Sequence, residues 1–348
     1  EVDALSGQVS VGAGTTLGDL QREVRKSGWE YGVDLAARDS ATVGGTVATN
    51  AGGIHVIAHG MTRAQVVGLE AVLADGSIVR QMSGLLKDNT GYDLAALLCG
   101  SEGTLGVITA VRVRLQRPPR RTSLALIGVG SVDEALSQMA GARQRGAVRA
   151  AEAMDANSVD LVCAATGLRW PLARRHEFVV LLEVEDGGDA TGLPLTEDDD
   201  AVVGLDAAEQ GRLWAYRERL TEAYAGLGIV HKIDVAVPLA AMAAFEADLR
   251  ARIAGDPQVT RFGVFGHLAD GNLHVQIVGP PAEDERLDLI ALECAASFGG
   301  SISAEHGIGR AKVDHLTMSK SPSTIEAMRA IKGALDPTGI LNPGVLLR

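Results

Sequence analysis

The chain predicts an α+β fold in two parts, and three observations carry that expectation. Short apolar stretches broken by glycine turns fill the first third of the sequence. Pro118-Pro119 followed by Arg120-Arg121 marks a boundary, and beyond it strands alternate with long helices, as in an antiparallel sheet covered by helices. The 348 residues give room for two domains, each with its own core. Aromatic residues make up only 3%, so that core must be mainly Ala, Val and Leu.

Taken in order, Gln8–Val11 reads as a strand. Thr16–Ser27 reads as a helix, with Leu17, Leu20 and Val24 at helical spacing and Gly28 as its stop. Val66–Leu73 and Ser77–Gln81 form a hairpin about Asp75-Gly76. Leu94–Leu98 leads to a glycine corner, Gly100–Gly106, and then to the strand Val107–Leu115. After the proline boundary come the strand Ser123–Val129, the helix Val132–Gly146 and the strand Phe178–Glu185. Glu197–Asp200 reads as a solvated acidic turn, and Leu205–Leu227 as one long helix. The strand Ile229–Val237 stops at Pro238, and Leu239–Ile253 is helical. Thr260–Gly266 and Leu273–Val278 pair across a turn. Glu283–Phe298 is a helix, and Ser323–Leu335 is the last one, opened by the capping box Ser323-x-x-Glu326. Asp336-Pro-Thr-Gly and Leu341-Asn-Pro-Gly are turn chemistry.

The net charge of −12 argues against a nucleic-acid partner, since such proteins present basic surfaces. No apolar run approaches the roughly eighteen residues of a membrane span, although a peripheral contact with the inner face of a membrane stays open. Cys99, Cys163 and Cys294 are scattered and odd in number, which suits buried thiols in a reducing, cytoplasmic setting. No signal peptide is expected from the first residues given. Glu1-Val-Asp-Ala runs into the first strand without an initiator Met and with no earlier element to pair with it. An absent N-terminal part is therefore expected.

The chemistry concentrates in Phe265-Gly-His-Leu-Ala-Asp-Gly-Asn-Leu-His274 and Ser303-Ala-Glu-His306, which hold three of the eight histidines. His267 and His274 bracket an Asp-Gly turn, and Glu305 comes from a separate segment. Two imidazoles and one carboxylate would leave a zinc-like ion with an open position, as catalytic metals need. His306, next to Glu305, is suited to handling protons. Ordinary structural histidines remain the alternative. The stretch Val43–Gly53 brings bare backbone N–H groups close to a ligand, an anion-binding concavity suited to a pyrophosphate, or else makes a tight packing corner. Neither GxGxxG nor GxxxxGK occurs. Arg217 and Thr221 share one helix face at a spacing of four. On the residues alone, Arg217 reads as a solvated helix charge and Lys232 as an edge-strand lysine.

Five motifs occur in order along nearly the whole chain. They are Asp34-Leu-Ala-Ala, Ala41-Thr-Val-Gly-Gly-x-x-Ala-Thr-Asn-Ala-Gly-Gly53, Gly91-Tyr-Asp-Leu94, Gly100-Ser-Glu-Gly-Thr-Leu-Gly-Val-Ile-Thr109 and Leu335-Asp-Pro-x-Gly-Ile-Leu-Asn-Pro-Gly344, and Trp214-x-x-Arg217-Glu218 adds a further signature. Together they resemble the FAD-linked oxidase family, flavoproteins with the fold of vanillyl-alcohol oxidase and p-cresol methylhydroxylase. The most similar branch holds D-lactate dehydrogenase, the glycolate oxidase flavin subunit and D-2-hydroxyglutarate dehydrogenase. The resemblance implies that residues 1–118 are the second subdomain of an FAD-binding domain, 119–304 a substrate domain, and 305–348 a segment returning to the cofactor. The resemblance implies a further N-terminal subdomain, with an Arg-Gly-Gly-Gly-Thr type loop, that these 348 residues do not include. Thr46 stands where Asn is common and His59 where Tyr is common.

The resemblance also assigns roles. Non-covalent FAD would contact Thr42, Gly44, Gly45, Thr49, Asn50, Gly52 and Gly53 in the first loop. In the second it would contact Ser101, Glu102, Gly103, Thr104, Gly106, Val107 and Ile108, and Asn342 near the end of the chain. A divalent metal, zinc by expectation, would bind His267, His274 and Glu305. Arg217, Thr221, Lys232, Gln276 and His306 would hold a D-2-hydroxy acid, with Gln276 standing where D-2-hydroxyglutarate dehydrogenase has a shorter Asn. The expected reaction is oxidation to the 2-oxo acid, with His306 as general base and hydride transfer to flavin N5. The electron acceptor is left open among a flavoprotein carrier, a quinone, a cytochrome and oxygen, and a homodimer is a further open partner. A metal-dependent hydrolase and an inactive flavoprotein-like subunit are the rival readings. The metal-ligand pattern argues against the alkyl transferase of ether-lipid synthesis, which shares the fold.

Overall fold

A computed structural model of the chain describes residues 2–348; Glu1, with which the expected first domain begins, lies outside the described residues. The fold has two compact units, residues 2–118 with 305–348, and residues 119–304.

The first unit is built on an antiparallel five-stranded sheet. Its strands are β1 (Val2–Asp3), β2 (Gln8–Gly12), β3 (Val66–Val72), β4 (Ile78–Gln81) and β5 (Val107–Arg114), in the order β1-β2-β5-β3-β4. The residues before β2 do supply it with a partner, through Val2↔Val9. Helix α1 (Leu17–Arg25) starts where the Thr16 hydroxyl accepts from Asp19 N, and buries Leu17, Leu20 and Val24. These pack with Val111 and Val113 of β5. The glycine-rich stretch is not a loop: Val43–Thr49 is helix α2, capped by Thr42 and ended by Asn50 in the left-handed region. Two one-turn helices follow, α3 (Val56–His59) and α4 (Thr62–Gln65), and then α5 (Leu94–Leu98).

The second unit carries a seven-stranded antiparallel sheet in the order β10-β12-β11-β7-β8-β6-β9. In chain order these strands are β6 (Thr122–Val129), β7 (Ala147–Asp155), β8 (Phe178–Glu185), β9 (Ala201–Gly204), β10 (Val230–Ala236), β11 (Arg261–His267) and β12 (Asn272–Val278). The helices are α6 (Val132–Arg145), α7 (Ala156–Thr166), α8 (Ala207–Glu218), α9 (Leu220–Ala225), α10 (Met242–Ile253) and α11 (Arg286–Ser297). Helices α7, α8 and α9 cover the sheet face that carries Met154 and Phe265, while α6, α10 and α11 pack together on the opposite face. Covered on both faces, β8 is buried from Phe178 to Val184.

Several expected elements differ in detail. The single helix Leu205–Leu227 is broken at Arg219 into α8 and α9, where ψ is −1°. Leu239–Ala241 is a 3₁₀ turn ahead of α10. Glu197–Asp200 is not all solvated, because Asp200 accepts from Ala173 N and Arg174 N and pairs with His176. The last helix, α12 (Pro322–Leu335), belongs to the first unit. Its cap is Ser321, whose hydroxyl accepts from Thr324 N, with Pro322 at the first helical position, so Ser323 is no capping residue. No helix among the described residues is long and apolar enough to cross a membrane.

His231 ties β10 to α11. Its Nδ1 lies 2.5 Å from Asp288 Oδ2 and its Nε2 3.2 Å from Pro281 O, and both partners are acceptors, so only the imidazolium satisfies both. Burial pulls the ring's pKa down, but the hydrogen bond and charge of Asp288 outweigh it and raise it above 6.5. Asp288 is itself pushed up by burial in spite of the histidine. Two acceptors meet the His231 ring, which favours its charged form. Its contribution to stability is complete below the unfolded histidine pKa and is lost as pH rises through the raised folded value. Thermal melts of the wild type should therefore fall by a few degrees over that window, and those of His231→Gln should not.

Candidate active site

The β10–β12–β11–β7 ladder decides which side chains share a face. Lys232 pairs with Gln276 and Asp234 with His274 across β10 and β12. On the other side of β12, Gly263, Phe265 and His267 of β11 pair with Gln276, His274 and Asn272, and His267 pairs with Glu152 of β7. Directly opposed residues point the same way and alternate residues repeat it, so all of these lie on one face of the sheet. The His267 and His274 rings sit edge to face, 5.4 Å between centroids, with a nitrogen of each within 4.8 Å of the other. The turn joining their strands depends on Gly271. Its φ is +80°, and a Cβ there would lie 2.1 Å from Val237 O.

Two buried carboxylates back the imidazoles. Glu152, 1% exposed, faces His267 Nδ1 through Oε1 at 2.7 Å and accepts from Arg217 Nε through Oε2 at 2.7 Å. Burial pushes the Glu152 carboxyl up, but the charges of His267 and Arg217 and their hydrogen bonds outweigh it, leaving it below the usual range. Arg217 is itself buried, and its guanidinium carbon lies 4.9 Å from the Phe265 ring centre. Asp234, fully buried, lies 3.6 Å from His274 Nδ1 and accepts from Asn272 Nδ2 and Ala304 N. In each imidazole Nδ1 faces a buried carboxylate, at 2.7 Å in His267 and 3.6 Å in His274, which turns Nε2 to the other side. That is the arrangement in which carboxylates orient metal-binding histidines. The donor set thus fits a divalent metal.

The structure brings together Arg217, His267, His274 and Gln276, with Lys232 on the same face. Lys232 is exposed and has no ion-pair partner among the described residues. Thr221 lies on α9, exposed, and no hydrogen bond from it reaches this cluster among the described residues. Gln276 is 5% exposed, and its Oε1 meets no partner among the described residues. An unmet buried amide is what a polar ligand would satisfy. Sequence reasoning missed Glu152 and Asp234. The signal for Glu152 was an acid set among Ala150, Ala151, Ala153 and Met154.

Glu305 and His306 belong to the first unit. Glu305 Oε1 accepts from Gly53 N at 2.8 Å, and a Cβ on Gly52 would lie 2.5 Å from the same oxygen. Gly53, at φ +123°, is pressed against Asp34 O, and Gly44 against Ala13. The first-turn amides of α2 already have acceptors: Val43 N reaches Thr15 O, Gly44 N reaches Ala13 O and Gly45 N reaches the Thr42 hydroxyl. They are therefore not the bare anion-binding concavity expected of this stretch. Its open part is the α2 face bearing Gly45 and Thr49, both exposed, beside the half-buried Thr42. An exposed glycine inside a helix costs about 0.5–1 kcal/mol against alanine. What it offers in return is a surface smooth enough for the close approach of a flat cofactor, and to that extent the residues fit one. Asn50 spends its side-chain oxygen on Arg63 N.

In the second glycine corner, Glu102 (φ 52°) takes Ile308 N and Gly309 N on its two carboxylate oxygens, both at 2.8 Å. Asn342 Nδ2 donates to Glu102 O. Gly103 is half-buried, and Ser101, Thr104 and Gly106 are buried. Val107 is exposed, and Ile108 follows it on β5. His306 is exposed.

A family model described as the C-terminal domain of FAD linked oxidases matches residues 118–346, and one described as an FAD binding domain matches residues 1–81. The chain is 39% identical to the mitochondrial D-2-hydroxyglutarate dehydrogenase of Bos taurus, covering 99% of this chain and 65% of that one. It is 35% identical to the D-2-hydroxyglutarate dehydrogenase of Xanthomonas citri pv. viticola, covering 99% and 77%. The chain thus spans just under two-thirds of the length of the bovine relative. Among solved structures, an alkyldihydroxyacetonephosphate synthase matches with a TM-score of 0.72 and 16% identity over 99% of this chain and 64% of that one, a likeness of fold.

The unmet oxygen of Gln276 leads to a separable outcome. Gln276→Met keeps the shape and removes the buried polar group, so the ligand-free protein should gain about 1 kcal/mol in denaturant unfolding. An unchanged or lower midpoint would show that the amide is already satisfied.

Proposed function

The chain belongs to the FAD-linked oxidase family, and from that premise we propose that it takes part in oxidising a D-2-hydroxy acid to the 2-oxo acid. The observation that carries this reading is the pair of imidazoles on one sheet face, each with Nδ1 toward a buried carboxylate, next to a buried arginine. A hydrolytic metal site would give no role to the exposed glycine face of α2, whereas a flavin would.

In this reading FAD would be held by the open α2 face at Thr42, Gly45 and Thr49 together with the second glycine corner, and a divalent metal by His267 and His274, with Glu305 as the third ligand that the family resemblance implies. When bound, FAD supplies a two-electron, hydride-accepting sink, and a metal such as zinc supplies Lewis-acid polarisation of the hydroxyl. The chain's residues do the rest. Arg217 and Lys232 offer positive charge to the acid's carboxylate groups, Arg217 from a buried site where Glu152 holds its planar fork through Nε. Gln276 adds an amide whose oxygen has no protein partner, and Thr221 adds a hydroxyl. His306 accepts the proton of the C2 hydroxyl. The substrate gives up a C2 hydride and that proton, and its C–O single bond becomes the carbonyl of a 2-oxo acid.

The test uses full-length protein, with D-lactate, glycolate and D-2-hydroxyglutarate added without oxygen. Bleaching of the flavin absorbance with one equivalent of 2-oxo acid formed is the expected result. His306→Asn should lower kcat by about 10²–10⁴ with flavin and metal content unchanged. Full activity in that variant would remove His306 from the chemistry, and a colourless protein inert to all three acids would remove the reading itself.

A further inference from the structure

We propose that Glu152 is the positioning residue of this site, a single buried anion that sets the ring tautomer of His267 for a metal and aims the guanidinium of Arg217 at the substrate. The inference rests on the reading above for what the two residues bind, and on geometry for how they are held. Glu152 and His267 are directly opposed across β7 and β11, so the backbone ladder itself delivers the carboxylate to the ring. One oxygen faces His267 Nδ1 and the other takes Arg217 Nε, each at 2.7 Å, in a place 1% exposed to solvent.

A carboxylate only accepts hydrogen bonds. Facing it, His267 must carry its proton on Nδ1, which makes Nε2 the lone-pair nitrogen that a metal needs. Arg217 donates to Glu152 through Nε, so the carboxylate holds that edge of the guanidinium, and the Phe265 ring against it limits its rotation. The two functions share one charge. Arg217 supplies the counter-charge to Glu152 at hydrogen-bonding distance.

A carboxamide in place of the carboxylate breaks that sharing. Gln has one acceptor and one donor end, so it serves either Arg217 or His267. If its oxygen takes Arg217 Nε, its NH₂ faces His267 Nδ1 and drives the ring proton to Nε2, where it blocks a metal. If its oxygen takes His267, the NH₂ opposes Arg217 Nε and the fork loses its anchor.

Three measurements decide this. In metal-free wild type, ¹⁵N-histidine NMR should show His267 as the Nδ1–H tautomer. Finding the Nε2–H form overturns the proposal without any variant. Zinc titration against a chromophoric chelator should show Glu152→Gln binding about 10–100-fold more weakly than wild type. Glu152→Asp, which keeps the charge, should recover part of that loss. In turnover, Glu152→Gln should raise KM for the acid as well as lower kcat at saturating metal. Wild-type affinity and tautomer in Glu152→Gln would overturn the proposal. If Glu152→Gln does not fold, Glu152→Asp and the wild-type spectrum still decide it. A wild type that binds no zinc defeats the metal reading alone, because the tautomer still reports what Glu152 does to His267.

Discussion

The register of four neighbouring strands is the constraint on which the second unit's chemistry depends. His267, His274, Gln276, Lys232, Asp234 and Glu152 come from β11, β12, β10 and β7, and they meet only because opposed residues in an antiparallel ladder face the same way. A slip of one residue in β12 would send His274 and Gln276 to the opposite face and leave His267 with neither imidazole nor amide beside it. The tight β11–β12 turn guards against that slip. Gly271 is pressed so closely on Val237 O that no side chain fits, and Val237 N donates back to Gly271 O. The turn that brings the two histidines together is thereby locked to the end of β10.

That arrangement carries a cost in buried charge, and the fold meets it locally. A buried carboxylate without partners would be destabilising by several kcal/mol. Glu152 has a guanidinium and an imidazole at hydrogen-bonding distance. Asp234 takes a backbone N–H from Ala304 and a side-chain N–H from Asn272, with His274 beside it. Replacing these groups by apolar residues of similar volume would serve a sheet that had only to be stable. Keeping ionised groups inside, and an amide oxygen unmet at Gln276, is the local inconsistency that marks a site at which something else is to be held.

Much of this was legible in the sequence, and the misses have physical causes. The α+β class follows from the alternation of patterns, and α1, α6, α11 and the β11–β12 hairpin lie close to where apolar spacing and turn residues put them. β7 escaped because Ala147–Asp155 is half alanine, a residue with little strand preference, and its burial comes from the neighbouring strands and helices. With β7 went Glu152, which lies 115 residues from the histidine it orients; no local pattern connects the two. α2 was read as a loop because four glycines weigh against a helix on propensity. The structure gives Gly44, Gly52 and Gly53 close approaches to their own chain, and the Thr42 cap with the left-handed Asn50 encloses a short helix between them. Ser323 was taken for a cap because Glu326 follows it, while Pro322 makes the better first helical residue and moves the cap back to Ser321.

The first unit uses carboxylates differently. Here the partners are backbone amides: Glu305 receives Gly53 N, and Glu102 receives Ile308 N and Gly309 N. Glu102 holds a left-handed conformation to do so, a strain that persists only where the surroundings enforce it, and the Asn342 side chain bonded to its carbonyl is part of that enforcement. The result is a short segment, residues 305–309, pinned at its first residue and at its last two. His306 lies between the pins and is exposed. A proton-transfer group needs a backbone that does not wander and a ring that stays accessible. Clamping the neighbours of His306 while leaving its own ring exposed suits the proton-accepting role proposed for it.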